Sequence, residues 1–126
     1  MKKSLTPLGE TEMEVLHIVW ELGEASVADV HEQILKNRKC AYTTVMTVMK
    51  NLAGKGFLKY RKSGMAYIYR SAKPETEVKH SLLSQMMSKV FNGSPTELVQ
   101  TLVKNESLSD EEREQIEAII KRTTGG

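Results

Sequence analysis

Apolar side chains recur at helical spacing along the first third of the chain. Met13, Leu16, His17 and Trp20 stand at i, i+3, i+4 and i+7, which predicts a helix from about Glu10 to Leu22, ended by Gly23. Ser26 with Asp29 three residues on has the form of a capping box, and it opens a second helix to about Lys36 that faces inward through Val30, Ile34 and Leu35. A basic turn, "NRKCA", leads to a third helix starting near Tyr42. Placed at 100° per residue, Val45, Val48, Met49 and Leu52 share one stripe, while Thr43, Thr47, Lys50 and Gly54 point the other way. Gly54 and Gly56 in "GKG" end that helix.

The period then changes. In "FLKYRKSGMAYIYR", Phe57 to Arg61 and Tyr67 to Ser71 are short, aromatic and β-branched segments around a five-residue loop containing Gly64, the pattern of a β-hairpin. Three helices followed by a hairpin, with a tight turn between the second and third, predict a winged helix-turn-helix. Pro74 marks a boundary, after which the pattern is helical again. Val78, Leu82, Met86 and Val90 step by four, widened by Leu83 and Met87, over about residues 75–91. "NGSP" interrupts the pattern. Ser94 as cap and Pro95 at the first helical position begin a helix bearing Leu98, Val99, Leu102 and Val103, and Ser109 with Glu112 begins a last one bearing Ile116, Ile119 and Ile120. The expected fold is therefore mainly α with a small β-hairpin: a winged helix-turn-helix DNA-binding domain over residues 1–73 and a three-helix dimerisation region over residues 74–126.

About fifteen apolar side chains in the last 53 residues bury too little surface to stabilise a unit of that size alone. A second copy of the chain is the simplest cover, two-fold homodimers being the commonest oligomers. The predicted dimer contacts are Val78, Leu82, Met86, Val90, Leu98, Leu102, Ile116, Ile119 and Ile120. The alternative is that these stripes pack on the N-terminal half as one monomeric core.

Length and composition narrow the function. At 126 residues, with 40% hydrophobic and 27% charged side chains, the chain suits one domain or two small units and not a large catalytic architecture. No stretch approaches the ~20 apolar residues of a membrane span, and the lysines of "MKKSLTPLGE" have no apolar region behind them, so the expected location is cytoplasmic. The single Cys40 has no partner for an internal disulfide or a thiolate metal site. His17, His31 and His80 are isolated, and no phosphate-binding glycine loop, zinc pattern or nucleophile motif occurs. Glu14, His17 and Glu21 share a helix face that could hold a metal, although a plain helix surface is the better reading. No enzyme activity, cofactor or metal is expected.

The formal charge of +2 conceals an asymmetry. Residues 36–73 contain ten Lys and Arg and no Asp or Glu, while both flanking segments are net acidic. A run of one sign over 38 residues points to a polyanionic partner. The third helix sits inside that run, and its outward positions are short hydroxyls where glutamate or alanine would favour the helix more. Thr43, Thr44 and Thr47 suit base edges, phosphates and thymine methyls; Lys50 suits phosphate or guanine, and Asn51 adenine. Lys59, Arg61, Lys62 and Arg70 surround the hairpin tip and suit phosphates, while Tyr60, Tyr67 and Tyr69 read as hairpin packing in preference to base stacking. The predicted contacts to double-stranded DNA are Arg38, Lys39, Tyr42, Thr43, Thr44, Met46, Thr47, Lys50, Asn51, Lys55, Arg61 and Lys62. The rival is a winged helix whose basic face meets an acidic protein.

The segments "EVLHIVW", "AYTTVMTVMKNLAGKGFL" and "SLSDEEREQIEAII", in that order, resemble the penicillinase-repressor (BlaI/MecI) family over nearly the whole chain. The resemblance implies a dimeric repressor on a dyad operator, with the N-terminal domain on DNA and the C-terminal helices between the copies. In the best-known members a protease cuts the C-terminal helical region after a membrane sensor detects a β-lactam. By order and spacing that bond corresponds to Thr101–Leu102 in "TELVQTLVKNESLS". The known sites have Asn followed by Phe, so the departure leaves DNA binding untouched and the regulatory protease and any β-lactam response open. Copper-responsive relatives end in paired Cys-x-Cys ligands, which this chain lacks, so the resemblance implies no copper sensing by that route.

Overall fold

The structure, a computed structural model, describes residues 8–104 and 107–124. Its elements run α1 (Glu10–Leu22), β1 (Glu24–Ala25), α2 (Val27–Leu35), α3 (Tyr42–Gly54), β2 (Leu58–Ser63), β3 (Ala66–Ser71), α4 (Glu75–Val90), α5 (Pro95–Val103) and α6 (Asp110–Thr124). The chain divides into two compact units, one through Leu83 and one from Ser84, so that α4 spans the division.

In the first unit, α1, α2 and α3 pack around a core that also takes in Leu58 and Tyr69 of the hairpin. The inner face of α1 is Val15, Leu16 and Val19, all buried. It lies to one side of the face expected from spacing. Met13 and Trp20 are only half-buried and His17 is exposed, because the apolar Val15, Leu16 and Val19 fill the core better than a polar ring does. Likewise α2 buries Val27, Val30 and Ile34, whereas Leu35, expected to face inward, is half exposed. In α3 the stripe is as expected, with Val45, Met49 and Leu52 fully buried and Val48 half-buried at its margin.

Local chemistry fixes where the helices begin. Ser26 Oγ accepts from the Asp29 backbone N–H at 3.1 Å and Asp29 Oδ2 accepts from the Ser26 N–H at 3.0 Å, closing the predicted capping box of α2. The Gly9 N–H donates to Glu12 Oε1 at 3.0 Å at the start of α1. Trp20 Nε1 donates to Ser71 Oγ at 3.2 Å, tying α1 to the end of β3.

The sheet is three-stranded and antiparallel, in the order β1-β3-β2. The hairpin is tighter than expected: Ser63 pairs with Ala66, leaving a two-residue turn of Gly64 and Met65. Gly64 at φ +62°, with no positive φ at Met65, matches the glycine-first turn that suits the twist of paired strands. The third strand, Glu24–Ala25, pairs with Arg70 and Tyr69.

The second unit comprises the later turns of α4 with α5 and α6. Asn92 and Gly93, at φ +50° and +77°, make the break after α4. Ser94 Oγ caps α5 by accepting from the Glu97 N–H at 3.1 Å, with Pro95 at the first helical position. Ser109 and Glu112 form the reciprocal cap of α6, at 3.0 and 3.1 Å. Among the described residues of this unit, none is buried. Two side chains expected at a dimer contact, Val78 and Leu82, belong instead to the first unit, where Val78 is buried and Leu82 packs against the core.

Candidate nucleic-acid interface

With Val45, Met49 and Leu52 inside, the opposite side of α3 carries Tyr42, Thr43, Thr44, Thr47, Lys50 and Asn51, all exposed. Met46 is half-buried where α3 meets the hairpin. The Ala41 carbonyl accepts from the Thr44 and Val45 N–H groups at 3.1 and 3.2 Å, so the first turn of α3 is closed by backbone alone, with no side-chain cap. His31 Nε2 lies 2.7 Å from the Cys40 carbonyl, and the His31 ring meets Tyr42 edge-on at 5.6 Å. These contacts brace the entry to α3 from α2. The exposed face contains no acid, and its short side chains leave the helix backbone free to approach a groove.

The cations divide into two groups that spacing alone does not separate. Arg38 donates to Glu14 Oε1 at 2.6 Å, Lys55 to Glu12 at 2.9 Å and Arg61 to Glu24 at 2.9 Å. Glu14, one of three side chains with the spacing of a metal site, is thus turned to a guanidinium. The Glu14 carboxylate pushes the Arg38 guanidinium's pKa further up, first through its hydrogen bond and then through its charge. Burial works against ionisation of Glu12, but the Gly9 N–H and the Lys55 ammonium outweigh it and hold this carboxyl below its usual value. By contrast, no described carboxylate pairs with Lys39, Lys50, Lys59, Lys62 or Arg70. Lys59 sits directly across from Arg70 in the hairpin register, and Glu24 of β1 stands across from Arg70 on its other side, so this like-charge pair has one carboxylate beside it.

The two faces of the hairpin differ. Leu58, Tyr60 and Lys62 of β2 stand opposite Ser71, Tyr69 and Tyr67 of β3 on one face. Leu58 and Tyr69 are buried at the root, while Tyr60 and Tyr67 remain exposed further out. Burial, then the neighbouring Tyr60 and Tyr67, raises the Tyr69 phenol above its ordinary range. Between this face and α3 runs a groove of about 500 Å³ lined by Lys50, Ala53, Gly54, Tyr60, Tyr67 and Tyr69. Met65, fully exposed at the turn, borders an adjoining groove with Tyr42 and Met46.

The arrangement is a helix of hydroxyls and cations flanked by a basic wing, and comparison with known sequences decides what kind of protein carries it. The model of the penicillinase repressor family matches residues 8–122. The chain belongs to the penicillinase repressor family. It is similar to the methicillin resistance regulatory protein MecI of Mammaliicoccus sciuri, with 29% identity over 115 residues covering 91% of this chain and 94% of that protein. It is also similar to the penicillinase repressor of Bacillus licheniformis, at 22% identity over 119 residues, covering 94% and 93%. Its fold matches the solution structure of the DNA-binding domain of the repressor BlaI with a TM-score of 0.52 and 22% identity, covering 60% of this chain and 93% of that one. The winged helix predicted from the hydrophobic pattern is thus the fold of this family's DNA-binding domain.

For the penicillinase repressor family member described here, the predicted contacts fall into three places. Tyr42, Thr43, Thr44, Met46, Thr47, Lys50 and Asn51 stand together on α3, Arg61 and Lys62 on the wing, and Arg38, Lys39 and Lys55 on the segments flanking α3. The exposed tyrosines of the wing were not among them. Their signal in the sequence was the alternation of Tyr67 and Tyr69, which marks one face of a strand but not that the face opens toward a helix. Among the described residues, no helix is long and apolar enough to cross a membrane.

Proposed function

We propose that the chain represses transcription by binding a palindromic DNA operator as a homodimer, with α3 of each copy in a major groove, the wing along the flanking backbone and the C-terminal helices joining the copies. Family membership supports the coarser part, a DNA-binding transcriptional repressor, and the charge run and relatives support DNA as the polyanion. The observation that carries the reading is the acid-free outward face of α3, where threonine hydroxyls, Lys50 and Asn51 are exposed beside a wing rich in unpaired cations.

Support for the dimer comes from the second unit. Val90, Val99, Leu102 and Val103 are 36–44% exposed in a unit without one buried described residue, a state that water penalises and a partner relieves. Release by proteolysis at Thr101–Leu102 is the finer expectation. Both residues are exposed, and Thr101 Oγ1 donates to the Glu97 carbonyl at 2.9 Å inside α5. A protease reads extended backbone, so this bond becomes cleavable when α5 unwinds, and a nine-residue helix opens easily.

The test is selection of duplexes from a random pool by the full chain at low salt, followed by titration of the winner. A winning inverted repeat, with affinity falling steeply from ~50 to ~200 mM salt, is the expected result. Alanine at Thr47 and Lys50 should weaken binding and leave the oligomeric state unchanged. If the wild-type chain retains no duplex at low salt, the reading fails and a protein-binding winged helix replaces it.

A further inference from the structure

We infer that the groove between α3 and the wing is a seat for one strand's sugar-phosphate backbone, in which the Tyr60 and Tyr67 hydroxyls are neutral phosphate donors working beside the Lys50 ammonium. The inference rests on DNA being the ligand of this face and adds Tyr60 and Tyr67, which are not among the contacts predicted from the sequence.

Four observations support it. Tyr60 and Tyr67 are 56% and 45% exposed, yet their rings are not loose: they meet edge-on at 5.1 Å and 80°, and Tyr60 also leans on the buried Tyr69 at 5.4 Å. Both rings line the groove and their hydroxyls make no hydrogen bond to any described residue, so two rigidly carried donors are left without partners, the kind of preorganisation that lowers the entropy cost of binding. The lining of the groove is free of carboxylates and includes Lys50, and register puts Lys62 on the same face of the wing, so the charge suits an anion. On the helix side the wall is Ala53 and Gly54. A Cβ at Gly54 would meet nothing within 4 Å, so the groove is open on that side and only a longer side chain there would reach into it.

A phenol O–H on a phosphate oxygen is a charge-assisted bond, but it displaces no counterion from DNA. The two kinds of contact in the groove therefore leave different signatures. The probe is the duplex selected by the wild-type chain, titrated over a series of salt concentrations. The double variant Tyr60→Phe, Tyr67→Phe should bind roughly tenfold more weakly at every salt concentration, with the slope of log affinity against log salt unchanged. Lys50→Gln should weaken binding and reduce that slope by about 0.9 for each phosphate it neutralises. Gly54→Met removes no donor and favours the helix, yet its side chain enters the groove; it should weaken duplex binding without lowering the thermal midpoint.

The inference is overturned if the phenylalanine variant binds like wild type with the same thermal midpoint, or if Gly54→Met leaves binding intact; in either case the wild type still holds duplex and the repressor reading stands. A fall in affinity of the phenylalanine variant matched by a fall in its thermal midpoint also overturns it, since the hydroxyls would then be structural. Failure of the wild type to bind any duplex overturns both readings together.

Discussion

At the scale of single residues, the balance of charge is settled by contacts across long stretches of chain. Arg38 with Glu14, Lys55 with Glu12 and Arg61 with Glu24 join residues 24, 43 and 37 positions apart. That is why the ten cations of residues 36–73 looked equivalent in sequence and are not equivalent in the fold. Glu12 has the most consequence of these acids, because it serves both the Gly9 N–H and the Lys55 ammonium. Glu12→Gln should cost about 0.5 kcal/mol of stability at pH 7: the amide oxygen still accepts from the Gly9 N–H, so what is lost is the charge share of that bond and a partly exposed ion pair. The folded-state pKa of Glu12 lies below its ordinary 4.5, so its contribution is complete above that value and is lost as pH falls through the folded pKa. Thermal unfolding of wild type and variant should accordingly differ at pH 7 and converge as the pH falls below the folded-state pKa of Glu12. A difference that persists unchanged into acid would show that shape, not charge, accounts for the loss.

At the scale of elements, helices were legible where their signals were local. The starts of α1 through α6, the capping boxes at Ser26 and Ser109 and the stripe of α3 follow from short-range pattern, and all are present. Orientation was less legible. His17 took part in the expected face of α1, but the true face lies around Val15 and Val19, because which neighbouring side chains meet is decided by packing and not by spacing. The two-residue strand β1 had no pattern to betray it: Glu24 and Ala25 become a strand only because Tyr69 and Arg70 of β3 come alongside. The wing was found, but its turn was drawn too wide, since Lys62 and Ser63 read as loop residues until their pairing with Tyr67 and Ala66 is known. That turn gives a sharp prediction. Gly64→Val places a β-branched side chain at φ +62° and should cost at least 1–2 kcal/mol. Amide exchange should then quicken in β2 and β3 and stay unchanged in α1, while salt-dependent DNA binding weakens through the wing alone. Equal quickening in both places would mean that the hairpin and the helical core unfold as one unit.

At the scale of the whole molecule, sequence pattern could mark apolar stripes but not assign them. Val78 and Leu82 step in phase with Met86 and Val90 along α4, yet the first two are spent on the core of the N-terminal unit, and periodicity carries no information about where one unit ends. For the proposed homodimer, the apolar set left exposed lies further on and includes Val99 and Leu102 on α5. Charge placed there should separate assembly from DNA chemistry. In the variant Val99→Glu, Leu102→Glu, α5 keeps its Ser94 cap and its first-turn Glu97, so the helix has reason to persist while the apolar contact does not. Sedimentation equilibrium should show wild type as a dimer and the variant as a monomer. Joining two half-site contacts through one dimer makes the second contact intramolecular, which raises affinity by roughly 10²–10⁴ without any new bond. The variant should therefore lose a factor of that order on the full inverted repeat, lose steepness in its binding curve, and bind an isolated half-site as wild type does. Loss on the half-site as well would place Val99 and Leu102 in the stability of the chain itself, and a variant that remained dimeric would move the interface to another face of the helical unit.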